Sequence, residues 1–172
     1  MKDYNSHIKV SPNNKYIILE NVELTNVPDT LEIEGARLVK KAEFHLTLLD
    51  TKKIASMLDG ADKDKIQDEI IADFKEYNTQ NPINDFELLP EFRFAQRGDK
   101  KTVVVMVALD TNRKFFEKLR KKYSADIPDQ PSHITILSLH PTEGISIVSK
   151  NVLNECTKVI DMPELRSIKM VK

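Results

Sequence analysis

Hydrophobic and polar positions alternate along this chain in two rhythms, one of strands and one of helices. The first apolar run, Tyr16-Ile17-Ile18-Leu19, predicts a strand, and the polar stretch 21–29 behind it predicts a loop. Residues 31–33 and 37–40 predict short strands around Gly35, and 43–49 predicts a longer one. Asp50 or Thr51 then offers an N-cap for a helix with Ile54, Met57 and Leu58 on one face, closed by Gly60. A second helix starts near Asp62 and carries Ile66, Ile70, Ile71 and Phe74 at helical spacing. The segment 78–84, with Pro82, reads as a loop.

The second half begins with a predicted hairpin, 91–96 against 102–109, with Gly98 and Asp99 near its turn. A helix over 111–123 turns Phe115, Phe116 and Leu119 inward. A loop holding Pro128 and Pro131 leads into a strand over 132–138. Beyond it, 145–159 predicts a helix and 165–171 a last strand. Strands and helices are interspersed, but the helices are too few for a doubly wound parallel sheet. The expectation is an α+β fold with antiparallel sheets.

Two of these strands carry the same string. Phe44-His45-Leu46-Thr47-Leu48 and Ser132-His133-Ile134-Thr135-Ile136 are both His-x-Thr-x with an aliphatic residue at each x. Side chains alternate across a strand, so His45 and Thr47 share one face while Phe44, Leu46 and Leu48 share the other. His133 and Thr135 stand in the same relation to Ile134 and Ile136. Within each strand, His and Thr lie roughly 6.5–7 Å apart, within reach of one phosphate-sized group. A lone His on a strand is ordinarily structural. Two such strings among only four His arise by chance in roughly one chain in a thousand at average residue frequencies.

Composition narrows the setting. A chain of 172 residues is one domain, large enough to fold without disulfides or metal. The single Cys156 removes any disulfide framework or cysteine-based zinc cluster. A net charge of -1, with both signs spread along the chain, excludes bulk attraction to nucleic acid but not a local basic pocket. No apolar core stands behind a basic start at the N-terminus, and the longest apolar runs, such as 103–109, fall far short of the roughly 18 residues of a membrane span. A soluble cytoplasmic monomer that uses no cofactor and no membrane is expected.

With one His-x-Thr string in each half, about ninety residues apart, the chain resembles the 2H phosphoesterase superfamily, which includes the LigT-like 2′–5′ RNA ligase relatives and cyclic nucleotide phosphodiesterases. The resemblance covers roughly residues 16–171, and Pro131 before His133 fits the second family motif. It implies a single two-lobed domain over 1–172, with two antiparallel sheets related by a pseudo-two-fold and helices on the outer faces. It also implies a metal-independent phosphodiesterase acting on a cyclic nucleotide or on RNA with a 2′,3′-cyclic phosphate end. His45 and His133 would be the acid–base pair, and Thr47 and Thr135 would bind the phosphate. One departure is visible: 21–35 reads as loop and short strand where family members often have a helix.

The chemistry suits those residues. Unperturbed His titrates near 6.5, so a neutral and a protonated imidazole can coexist near neutral pH and supply base and acid without metal. Thr hydroxyls can donate to the non-bridging oxygens where charge gathers. His140 shares the parity of His133 and could approach the rim, whereas His7 lies in a polar segment expected to be solvated. Arg37, Lys40, Lys41, Arg93, Arg97 and the basic end of the 111–123 helix could reach flanking phosphates, although a solvated face, or for the helix end a complement to its dipole, is the favoured role of each. Phe92, Phe94 and Tyr123 could stack a base, with core packing the simpler role for both Phe. The alternative from a different class is a non-catalytic binding module for cyclic nucleotides or phosphorylated RNA ends. A two-His metal site is the third alternative, and neither strand supplies the further ligands zinc ordinarily takes.

Overall fold

The computed structural model describes residues 3–60 and 62–171. Short strand β1 (Ile8–Val10) pairs with β2 (Tyr16–Val22), and β3 (Leu24–Thr25), β4 (Thr30–Ile33) and β5 (Ala36–Lys40) follow before β6 (Phe44–Asp50). Helices α1 (Thr51–Ser56) and α2 (Lys63–Gln80) separate β6 from the long hairpin of β7 (Glu87–Arg97) and β8 (Lys100–Ala108). Helix α3 (Asp110–Tyr123) leads to β9 (His133–Ser138), α4 (Lys150–Cys156), β10 (Thr157–Ile160) and β11 (Lys169–Met170).

The result is an α+β fold built on antiparallel pairing. One ladder runs β1-β2-β6-β9-β8-β7-β10, with β5 also on β9 and β4 on β5; β3 and β11 pair separately. The two His-bearing strands, expected in two sheets, lie side by side, joined by the single register pair Leu46 opposite Ile134. Joining there is favourable because the strands are equally apolar on one face. Leu46, Leu48, Ile134 and Ile136 are all fully buried. They belong to the main core with Ile70 and Phe74 of α2 and with Phe115, Phe116 and Leu119 of α3. The ring of Phe115 packs edge-on against Phe74 at 5.2 Å between centroids.

The opposite face of the sheet has only a small apolar cluster, in which Ala95, Val104 and Met106 meet Ile145, Ile147 and Leu153. That cluster explains why the helix predicted over 145–159 is shorter. Ile145 and Ile147 alternate as an extended segment that lies against the sheet. Ser149 then caps α4 by accepting from the Val152 N–H at 3.1 Å, and Thr157–Ile160 leaves the helix to pair with the open edge of β7.

Caps set the other helix starts. Asp50 accepts from the Lys53 N–H, and Asp62 accepts from the Lys65 N–H, each at 3.0 Å. Met57, expected inward, is 38% exposed because α1 ends at Ser56, before it. Helix α2 continues through part of the predicted loop to Gln80, buries Tyr77 and stops before Pro82. The predicted last strand is reduced to β11, since 163–165 forms a helical turn that buries Leu165. Strand β1, which the polar N-terminal sequence did not suggest, pairs with β2 in register Lys9 to Ile18. Among the described residues no helix is long and apolar enough to cross a membrane.

Candidate active site

The pairing of Leu46 with Ile134 fixes the geometry of the opposite face. One residue to either side, His45 stands across from Thr135 and Thr47 across from His133. Neighbouring strands extend both rows: Ile18 pairs with Thr47, Met106 with His133 and Val104 with Thr135. The four predicted site residues therefore form a quartet on one face, with each His beside the other strand's Thr. The two His occupy a diagonal of about 7–8 Å, the usual spacing of diagonal neighbours on a sheet.

The two imidazoles have different surroundings. The Nδ1 of His133 lies 3.0 Å from the Pro131 carbonyl, which can only accept, so Nδ1 carries the proton and Nε2 of the neutral ring is a lone pair. Pro131 thus has a geometric function that the sequence alone did not disclose. His133 is 8% exposed, and burial pushes its imidazole below the usual histidine range; the Pro131 bond acts the other way, and His45 adds a smaller downward push. His45 is half-buried, and its Nδ1 is enclosed without a hydrogen-bond partner. Burial is the main cause lowering its pKa and the Lys41 ammonium the second, opposed by Glu43 and Glu20. Burial thus favours the neutral form of both rings, where unperturbed values would let a neutral and a protonated imidazole coexist.

Neither Thr47 nor Thr135 hydroxyl forms a hydrogen bond among the described residues, so both can serve an incoming oxygen. The segment 139–149 crosses this face as a strap. Ala42 N–H donates to the Pro141 carbonyl at 3.3 Å, and the Lys41 ammonium donates to the Glu143 carbonyl at 2.6 Å. A Cβ on Gly144 would stand 4.0 Å from Thr135 Oγ1. At the far end Ser146 Oγ donates to Asp50 Oδ2 at 3.0 Å. Asp50 faces the strap because a bulge in β6, between the pairs at Ile17 and Ile18, reverses the parity of its last residues. Both its carboxylate oxygens are taken, by Ser146 and by the α1 cap, which leaves it positional.

The other sequence candidates are dispersed. His140 is exposed, and its carbonyl accepts from Ser138 Oγ. His7 contacts Asn21 at 3.4 Å. Arg93 is held by Glu91 and Thr157, and Arg97 reaches the Ser146 carbonyl at 3.5 Å. Arg37 is paired with Glu32, and the basic end of α3 is paired through Arg120 with Asp129 and Lys122 with Asp73. Phe94 is buried in the core and Phe92 packs against it; Tyr123 donates to Glu69. Of these cations only Lys41 acts on the titration of a quartet histidine, His45. A depression of about 320 Å³ between α2 and α3, with Asp73, Glu76, Lys118 and Lys122 on its walls, lies on the helical side, away from the His pair.

Among the described residues no group of three or more His, Cys, Asp or Glu side chains is placed to hold a metal ion. The quartet brings together two imidazoles, which can take or give a proton, and two hydroxyls, which can donate hydrogen bonds. Compared with protein-family models, curated proteins and solved structures, the chain matches none.

Proposed function

We propose that this chain is a metal-independent phosphodiesterase of the 2H type. Its substrate would be a 2′,3′-cyclic phosphate at an RNA end or a small cyclic nucleotide or oligonucleotide. The supporting observation is the quartet: two His and two Thr from separate strings on one face of adjacent antiparallel strands. The finer architecture belongs to the same proposal. Two lobes related by a pseudo-two-fold would each supply one string, with the Leu46–Ile134 pair as their seam.

In this mechanism the scissile phosphate sits between the imidazoles. His133 Nε2, unprotonated because Nδ1 donates to Pro131, takes a proton from water as the oxygen attacks phosphorus. The bond from phosphorus to the leaving hydroxyl breaks, and His45 as imidazolium returns a proton to that oxygen. Water adds across the diester, and a monoester and a free hydroxyl result. Thr47 and Thr135 donate to the non-bridging oxygens as charge accumulates there. The imidazolium forms on binding, since a phosphate anion offsets the burial and the Lys41 charge that lower the His45 pKa.

The test is a turnover screen in excess chelator over nucleoside 2′,3′-cyclic phosphates, cyclic-phosphate-ended RNA and cyclic di- and trinucleotides. A double His45→Ala/His133→Ala variant serves as control. Turnover of one class, lost in the variant, is expected. Tight binding of a panel member without turnover would make the chain a binding module instead.

A further inference from the structure

Lys41 is the one buried lysine among the described residues, 7% exposed. It occupies the turn between β5 and β6, where its backbone N–H donates to the Ile136 carbonyl of β9 at 3.0 Å. Its ammonium carries three donors and a full charge. The only acceptor it finds is the neutral Glu143 carbonyl at 2.6 Å, and it forms no ion pair among the described residues. The Glu43 and Glu143 carboxylates act on it only at longer range. Burying a cation without a counter-ion is costly, and burial pushes Lys41 below the ordinary lysine value. Stability alone therefore gives no reason to keep a cation here.

Its location suggests one. The charge of Lys41 is felt by His45. The residue after its acceptor, Gly144, faces the Thr135 hydroxyl. Through Glu143 and Gly144 the ammonium is thus held toward the His45–Thr135 end of the quartet, where both Thr hydroxyls lack a hydrogen-bond partner among the described residues. An anion arriving there would meet the ammonium of a lysine that is already largely enclosed.

We propose that Lys41 is the anion receptor of the quartet: its ammonium takes a non-bridging oxygen of a phosphate seated beside His45 and Thr135, with the Glu143 carbonyl as its resting acceptor. This rests on the quartet being a phosphate site, as in the phosphodiesterase proposal, but not on turnover. It restricts ligands to those presenting an anionic phosphate at this point. The rival role is a structural tether for the strap, and the two separate cleanly. A tether that is cut loosens the fold and leaves anion affinity alone. A receptor that is replaced by an apolar side chain loses anion affinity while the fold holds or gains, because an unpaired buried charge has gone.

The experiment titrates inorganic phosphate into the full chain at low salt and pH 7, following the ring resonances of His45 and His133. Wild type is compared with Lys41→Met, Lys41→Gln and Lys41→Arg, and the Tm of each is measured. Phosphate affinity is expected to fall roughly thirtyfold in the Met and Gln variants, with the Arg variant clearly tighter than either and the Tm of the Met variant not lowered. Unchanged affinity in the Met and Gln variants, or a lowered Tm with affinity intact, overturns the proposal. So does a carbon-13 Cε resonance of wild-type Lys41 that phosphate fails to move, a readout independent of any variant. Lys41-dependent phosphate binding without diester turnover supports the receptor and counts against the phosphodiesterase. Turnover with full phosphate affinity in Lys41→Met does the reverse.

Discussion

The two faces of β6 and β9 are made by the same few residues and follow opposite rules. On one face Leu46, Leu48, Ile134 and Ile136 are fully buried beneath α2 and α3. On the other, His45, Thr47, His133 and Thr135 are crossed by one strap and keep hydroxyls and an imidazole nitrogen unengaged. A buried polar atom without a partner costs stability. The apolar face offsets that cost, so the rigid half of each strand holds the chemically usable half in register. Stability and proposed chemistry are separated by one residue along the chain.

That separation can be broken most sharply at the imidazoles. His45→Ala or His133→Ala should lower turnover of the substrate found by the screen by about 10³-fold or more, the scale of losing an acid–base group together with its hydrogen bonding. Their Tm should stay near wild type; turnover within a few-fold of wild type in either variant would end the two-His mechanism. The converse change is Leu46→Ala or Ile134→Ala, expected to cost about 2–5 kcal/mol of stability in urea unfolding. Below the melting transition those variants should retain the site's activity. Retained stability in both would mean that the apolar face is not what holds the quartet.

A smaller effect is expected at the hydroxyls. Thr47→Val and Thr135→Val keep the shape and remove one donor each, which should reduce kcat by about 10²-fold with less change in KM. Equal losses in KM and none in kcat would assign the hydroxyls to ground-state binding.

Stability against pH sharpens the same contrast. Both His are held below their unfolded value near 6.5, so as the pH falls the unfolded chain takes up protons before the folded one. Their contribution is complete above about pH 6.5 and is lost progressively as pH drops toward the depressed folded values. Melting curves between pH 8 and 5 should show that decline, and His133→Gln should flatten part of it. An equally steep decline in that variant would assign it to other groups. The smallest effect is expected at the end of the strap, where Ser146→Ala removes one hydrogen bond to Asp50. It should cost about 1 kcal/mol and leave turnover within a few-fold.

Strong local signals are legible in the sequence. The strands around both His, the caps at Asp50 and Asp62, the β7–β8 hairpin and the inward face of α3 follow from alternation, helical spacing and turn residues. Weak ones are not. Residues 145–159 are apolar enough for a helix, yet Ile145 and Ile147 pack as extended chain because Val104 and Met106 leave an apolar strip to cover. Strand β10 exists because β7 had a free edge. Lys41 reads as a solvated cation in a run with Lys40, yet it is buried, with its ammonium on the Glu143 carbonyl of the strap.

The sequence by itself determined which side chains share a face, since the parity of a strand is fixed by its backbone. His45 with Thr47, and His133 with Thr135, needed nothing more. Tertiary structure decided what sequence spacing cannot encode. It set two strands nearly ninety residues apart against each other at Leu46 and Ile134, gave His133 its tautomer through Pro131, and enclosed Lys41 beside His45. Those outcomes depend on long-range register and on burial, which belong to the packed sheet and not to any segment of it.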